Sequence, residues 1–277
     1  MKLAPNAEII GGEDYSMLCS SAAPQFIVIL VDASVSMKRV IEGITCAQRA
    51  CEFANQIMDV LIKVNFNKDC PKNRLFICVA SYDIEVKPII CGYLSSVYDC
   101  PLRVNEKKRG MIGSDGKHVE FMYPQPIWVD LTATDYIANL KVGIDYAREM
   151  ISHWSEDNYE TPAPIVVNIT CDNYAIDEPL SDSIKELKKM RTSDGETLFL
   201  NLVVAAEENI VFPIINEREG KDNDLILASS IIPINYQIRI WDEIDFAVKP
   251  FRVAYTSNID SMINLLKASG YYPIRTK

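Results

Sequence analysis

The chain has 277 residues, 48% of them hydrophobic and 24% charged, with a formal net charge of −10. That is material for one large globular domain with elaborations, and its acidity argues against nucleic acid as a main partner. No stretch approaches the ~18 consecutive apolar residues of a membrane span. Met1-Lys2-Leu3-Ala4-Pro5-Asn6 has no long apolar run behind it and does not read as a signal peptide.

Residues 1–24 carry Gly11-Gly12, Ser20-Ser21 and Pro24 without periodicity and read as an N-terminal arm. The domain proper is expected over 25–277. Phe26-Ile27-Val28-Ile29-Leu30-Val31 is an unbroken apolar run, as a strand covered on both faces requires. It leads straight into Asp32-Ala33-Ser34-Val35-Ser36-Met37. One carboxylate and two hydroxyls then sit where a buried strand ends, the place where open α/β sheets bind ligands. An oxygen-only set suits a hard cation such as Mg²⁺, Mn²⁺ or Ca²⁺.

Val40, Ile41, Ile44, Ala47, Cys51, Ala54, Met58, Leu61 and Ile62 recur at three- and four-residue spacing and predict a helix over 38–64. Leu75–Ser81 and Glu85–Cys91 predict a hairpin turning at Tyr82-Asp83-Ile84, so one strand runs against the others. Residues 92–130 are irregular and long for a loop, and are expected to contain strands of their own or a functional excursion. Ile137, Leu140, Ile144, Ala147 and Ile151 mark a further helical face, with Thr134 as its N-cap. The apolar run 164–170 ends at Cys171-Asp172-Asn173. Asp177 and Pro179 open the next helix. A strand at 197–206, an elaboration over about 207–250, a strand at 251–255 and a closing helix marked by Ile259, Met262, Ile263 and Leu266 complete the chain. Strands alternating with helices imply a mostly parallel sheet.

Eight cysteines include no C-x-x-C pair, so a zinc knuckle or thioredoxin motif is not indicated. Several lie inside apolar runs, as Cys78 does, and reduced core thiols in a cytoplasmic protein are the expectation. His118 and His153 are the only histidines, and there is no G-x-S-x-G elbow, P-loop or G-x-G-x-x-G. Arg103, Lys107, Lys108, Arg109 and Lys117 form a basic cluster in the insert, either a solvated loop or a docking patch for an acidic or phosphorylated partner.

Asp32-x-Ser34-x-Ser36, Thr134 and Asp172 together resemble the metal-ion-dependent adhesion site (MIDAS) of von Willebrand factor type A (vWA) domains. Ile169-Thr170-Cys171-Asp172-Asn173 departs from the family's T-D-G, with Cys171 and Asn173 in place of Thr and Gly. The stretches Val211-Phe212-Pro213, 225–233 and 255–260 are similar to bacterial intracellular vWA proteins of the tellurium-resistance type, whose relatives are encoded with a Ser/Thr kinase and a PP2C-type phosphatase. The resemblance implies a Rossmann-like α/β fold: a central, mostly parallel six-stranded sheet with one antiparallel edge strand and helices on both faces. It implies that Asp32, Ser34, Ser36, Thr134 and Asp172 hold a divalent cation, Mg²⁺ first, with a partner's Asp or Glu carboxylate as the last ligand. The expected function is a cation-dependent protein-binding adaptor, not an enzyme, in a cytoplasmic stress, defence or phospho-signalling system. A metal-independent vWA scaffold is the alternative. A phosphoryl-transfer enzyme with Asp32 as nucleophile is a further one, although Ser34 stands where such enzymes need a second Asp.

Overall fold

The computed structural model of the chain describes residues 15–112, 118–171, 176–204, 210–211, 224–233, 235–236, 253–255, 259, 262–263 and 266. β1 (Gln25–Asp32) is buried along its whole length, as its uniform apolar run requires. Its side chains alternate between two cores. Ile27, Ile29 and Val31 face α1 (Cys46–Asn65), and Phe26, Val28 and Leu30 face helices on the other side. β2 (Leu75–Tyr82) and β3 (Val86–Tyr93) form the predicted hairpin. After the short α2 (Leu94–Asp99), the insert forms a two-stranded ribbon of β4 (Arg103–Ile112) and β5 (His118–Ile127), strands of its own as expected. On it Lys108 pairs with Glu120, and Arg103 pairs with Asp130 at 2.5 Å. Lys117 and the Arg109 side chain lie outside the described residues.

α3 (Leu140–Asp157), β6 (Ile165–Thr170), α4 (Glu178–Lys189) and β7 (Leu198–Val203) follow. β8 (Ile210–Val211), α5 (Asp224–Ala228) and β9 (Val253–Tyr255) complete the described elements. The sheet order is β8-β9-β7-β6-β1-β2-β3. β1 pairs in parallel with β2 and β6, as do β6 with β7 and β7 with β9; β3 is the antiparallel edge. The two-residue β8 adds a seventh strand, antiparallel to β9. α1 covers one face of the sheet and α3 with α4 the other. This is the α/β architecture that the vWA resemblance implies. From β1 the chain steps to β2 on one side and later returns to β6 on the other. The switch point therefore lies between the carboxyl ends of β1 and β6.

Three sequence readings change. The helix expected over 38–64 begins only at Cys46. Val40-Ile41 and Ile44-Thr45 instead pair across a turn with Glu42 at φ 53° and Gly43 at φ 84°. The glycine makes that left-handed turn accessible. Thr45 then caps α1: its Oγ1 accepts from Gln48 N at 3.2 Å, and Gln48 Oε1 accepts from Thr45 N at 2.9 Å. The expectation of reduced thiols fails at Cys78 and Cys91, which face each other in the β2–β3 register and are joined as a disulfide. The third change concerns Thr134 and is described with the site. By contrast Asp177 caps α4 as predicted, its carboxylate accepting from Leu180 N at 3.0 Å. Among the described residues no helix is long and apolar enough to cross a membrane.

A buried polar chain crosses the sheet beneath α3 and α4. Tyr82 Oη donates to Asn168 Oδ1 at 2.8 Å, Asn168 Nδ2 to Asn201 Oδ1 at 2.9 Å, and Asn201 Nδ2 to Ser229 Oγ at 2.9 Å. These bonds fix the Tyr82 ring against Gly143 of α3, where an added Cβ would lie 3.2 Å from Tyr82 Cδ1 and 3.4 Å from Leu30 Cδ1. Gly143→Ala gains about 1 kcal/mol of helix propensity but overpacks a tethered ring, at a cost of about 1–3 kcal/mol. A net loss of about 1 kcal/mol is expected as a lower urea midpoint; an unchanged or higher midpoint would show that the ring can move.

Candidate metal centre

Asp32 ends β1 and is fully buried. Both carboxylate oxygens are engaged. Oδ1 accepts from Ser34 N at 2.8 Å, closing the turn, and Oδ2 accepts from the Thr170 hydroxyl of β6 at 2.8 Å. Ser34 is also buried and stands at the N-cap of a single 3₁₀ turn, Val35–Lys38. A capping serine turns its hydroxyl onto the turn's own amides, but Ser34 makes no such bond. Its Oγ lies 2.9 Å from Ser36 Oγ instead. The two hydroxyls thus bond each other rather than the local backbone.

The loop 131–139 is docked on this turn from both sides. Thr134 N donates to Ala33 O at 2.8 Å, and Val35 N donates to Tyr136 O at 2.7 Å. These two bonds bracket Ser34 and bring Thr134 to the Asp32-Ser34-Ser36 string. Thr134 is not a helix cap, contrary to the sequence reading. α3 begins at Leu140 with Asn139 at its N-cap, and Ile137 is exposed. The backbone groups that a helix needs are committed elsewhere, since Asn139 N bonds Asp83 O at 2.9 Å. Within the loop, Thr134 Oγ1 accepts from Tyr136 N at 3.3 Å. At the surface Lys38 pairs with the exposed Asp135 across the two loops, which holds the Asp135 carboxyl below its usual range.

Asp172 lies outside the described residues. The residues before it reach the same place: Thr170 bonds Asp32, and Cys171 O accepts from Arg39 Nη2, just beyond the 3₁₀ turn, at 2.6 Å. Asp32, Ser34, Ser36 and Thr134 are therefore gathered near the carboxyl ends of β1 and β6.

Sequence reasoning missed Asp83, which follows β2 beside this loop. The sequence places it in the hairpin turn, yet it is 2% exposed. Its Oδ1 accepts from Glu85 N at 3.1 Å, while Oδ2 is buried without a hydrogen bond, 3.7 Å from Lys87 Nζ. Burial pushes its pKa up, but the Glu85 amide, the Thr134 hydroxyl and Lys87 outweigh this and leave it below the usual value. The available signal was position: a carboxylate at the end of a buried strand next to β1.

The donor set fits a hard cation. Two oxygens on adjacent corners of an octahedron with about 2.05 Å bonds are about 2.9 Å apart, the spacing of the Ser34 and Ser36 hydroxyls. Among the described residues no three His, Cys, Asp or Glu side chains cluster as a metal site.

No family model matches the chain, and neither does any curated protein. Solved structures that it is similar to include BatB from Bacteroides thetaiotaomicron, at 10% identity and TM-score 0.42 over 89% of this chain and 87% of that one. The ArnB paralog VWA2 from Sulfolobus acidocaldarius aligns at 16% identity and TM-score 0.37 over 65% of this chain, which spans about a third (35%) of that one. The manganese-loaded TRAP protein of Plasmodium vivax aligns at 10% identity and TM-score 0.44 over 92% of this chain and 76% of that one.

Proposed function

We propose that the chain is a vWA-like module that binds a protein partner through a divalent cation, Mg²⁺ first, held by Asp32, Ser34, Ser36 and Thr134, with Asp172 completing the set. The observation that carries this is the pair of Ser34 and Ser36 hydroxyls, 2.9 Å apart in the turn that follows a fully buried Asp32 and uncommitted to helix capping. When bound, the cation supplies a position for an outside anionic oxygen. A partner's Asp or Glu is the proposed source, since a dication facing few protein anions attracts one strongly. The protein's own part is positional. Thr170 and Ser34 N fix the Asp32 carboxylate, and the bonds at Ala33 and Val35 fix Thr134 beside it.

Binding rather than turnover is favoured because Ser34 stands where a phosphoryl-transfer enzyme with an Asp nucleophile needs a second carboxylate as its acid and base. The bacterial cytoplasmic setting and a link to a Ser/Thr kinase or PP2C-type phosphatase rest on the resemblance of the tail alone. Affinity capture with the full chain in Mg²⁺, followed by EDTA elution, tests the proposal. The partner is expected in the EDTA eluate. A partner retained equally in EDTA would favour the metal-independent scaffold, which the same hydrogen bonds can hold together unaided.

A further inference from the structure

We infer that Asp83 is a positioning residue of this cation site, the outer carboxylate that orients the Thr134 hydroxyl. The inference rests on the cation-binding reading above. Tyr82 pairs with Asp32 in the β1–β2 register, so Asp83 sits one residue further on, level with the turn that starts at Ala33. Its main chain holds the far end of the Thr134 loop, with Asp83 O accepting from Asn139 N at 2.9 Å. A residue serving only the β2–β3 turn needs one carboxylate oxygen and can leave the other in water. Oδ1 does bond Glu85 N, but Oδ2 is buried, makes no hydrogen bond, and has exposed Lys87 as its ion-pair partner only at 3.7 Å. Burying such an oxygen is costly unless something claims it.

Ala33 links the two segments, its N donating to Tyr82 O at 2.8 Å and its O accepting from Thr134 N at 2.8 Å, and the Thr134 hydroxyl is among the groups that hold the Asp83 carboxyl below its usual value. The Thr134 hydroxyl oxygen accepts from Tyr136 N. A hydroxyl that turns a lone pair to a cation must send its hydrogen away from it. A carboxylate behind the ligand accepts that hydrogen and makes the oxygen a better donor to the metal, as outer-shell carboxylates do for metal-bound histidines. Asp83 meets those conditions without touching the cation.

The test is Mg²⁺ titration of the full chain by calorimetry, with melting in EDTA alongside, for wild type, Asp83→Asn, Thr134→Val and the double variant. Asp83→Asn keeps size and the bond to Glu85 N, so its melting temperature in EDTA is expected within a few degrees of wild type. Its Mg²⁺ affinity is expected to fall about 10–100-fold. Because Asp83 acts through Thr134, adding Asp83→Asn to Thr134→Val is expected to weaken binding little further. Unchanged affinity in Asp83→Asn, or losses that simply multiply in the double variant, would overturn the role of Asp83 while leaving the cation site intact. Absence of Mg²⁺ binding by the wild type would overturn the cation reading itself and this role with it.

Discussion

Asp32→Asn is expected to abolish Mg²⁺ binding without unfolding the protein. Asparagine keeps an oxygen for Ser34 N and presents an amide to the Thr170 hydroxyl, which can rotate to accept from it. The buried shape and its hydrogen bonds survive, and only the charge is lost. For the dication that charge matters most, since the hydroxyls of Ser34, Ser36 and Thr134 bring none of their own. The expected loss exceeds the roughly 10–100-fold that outer-shell changes cost. Without metal the sign reverses: Asp32 is a fully buried carboxylate, and neutralising it is expected to leave the melting temperature in EDTA no lower than wild type. Mg²⁺ at about 100 times its dissociation constant adds about 2.7 kcal/mol to wild type, an upward shift of roughly 5–10 °C for a domain of this size. Differential scanning fluorimetry with Mg²⁺ and with EDTA reads both effects. A variant that still shifts with Mg²⁺ removes Asp32 from the site. Asp32→Ala is the poorer probe, because it strands two buried donors at a cost of about 2–4 kcal/mol.

The legible parts of this site are those written locally. An apolar run followed by D-x-S-x-S specifies a buried strand and the turn above it, because both depend on neighbouring residues. The sequence brings Thr134 to the carboxyl edge of the sheet as a helix cap, a local role that the structure does not show. Leu140, Ile144, Ala147 and Ile151 do mark a helix face. Ile137 continues that spacing by accident, and the two loop bonds that hold Thr134 come from Ala33 and Val35, about 100 positions earlier in the chain. Asp83 was illegible for the same reason. Its burial arises when the 134–139 loop folds onto it, which no window around residue 83 reports. The Cys78–Cys91 pairing needed the β2–β3 register, which a prediction of two strands and a turn leaves open. At α1 the start was overrun because Val40, Ile41 and Ile44 match the helical period, while the Glu42-Gly43 turn that stops them is a backbone event.

The path into Thr134 depends on one residue of α1, and its loss is expected to cost more stability than any other change considered. Asn55 is buried and uses its side chain fully. Oδ1 accepts from Trp128 N at 2.7 Å and Val129 N at 3.0 Å, and Nδ2 donates to Val129 O at 2.7 Å and Cys51 O at 2.8 Å. It thereby supplies the sheet-like partner that residues 128–129 lack as the chain leaves the β4–β5 ribbon and turns toward the metal edge. Trp128 Nε1 bonded to Val97 O at 2.8 Å and Leu131 N on Cys51 Sγ at 3.2 Å continue the anchorage. Asn55→Leu keeps the branched shape but strands three main-chain groups in residues that are at most 2% exposed. At about 1–3 kcal/mol for each, a loss of about 4 kcal/mol is expected, lowering the melting temperature by roughly 10–15 °C. Asn65→Leu, near the end of the same helix, is the matched control. Asn65 Nδ2 bonds only Leu61 O of its own helix, and its Oδ1 is buried without a hydrogen bond. Replacing it is expected to change stability by less than about 1 kcal/mol. Asn55→Leu is also expected to weaken Mg²⁺ binding, because it loosens the segment that delivers Thr134, whereas Asn65→Leu leaves binding unchanged. Equal melting temperatures for the two variants would show that residues 128–134 hold their place without Asn55.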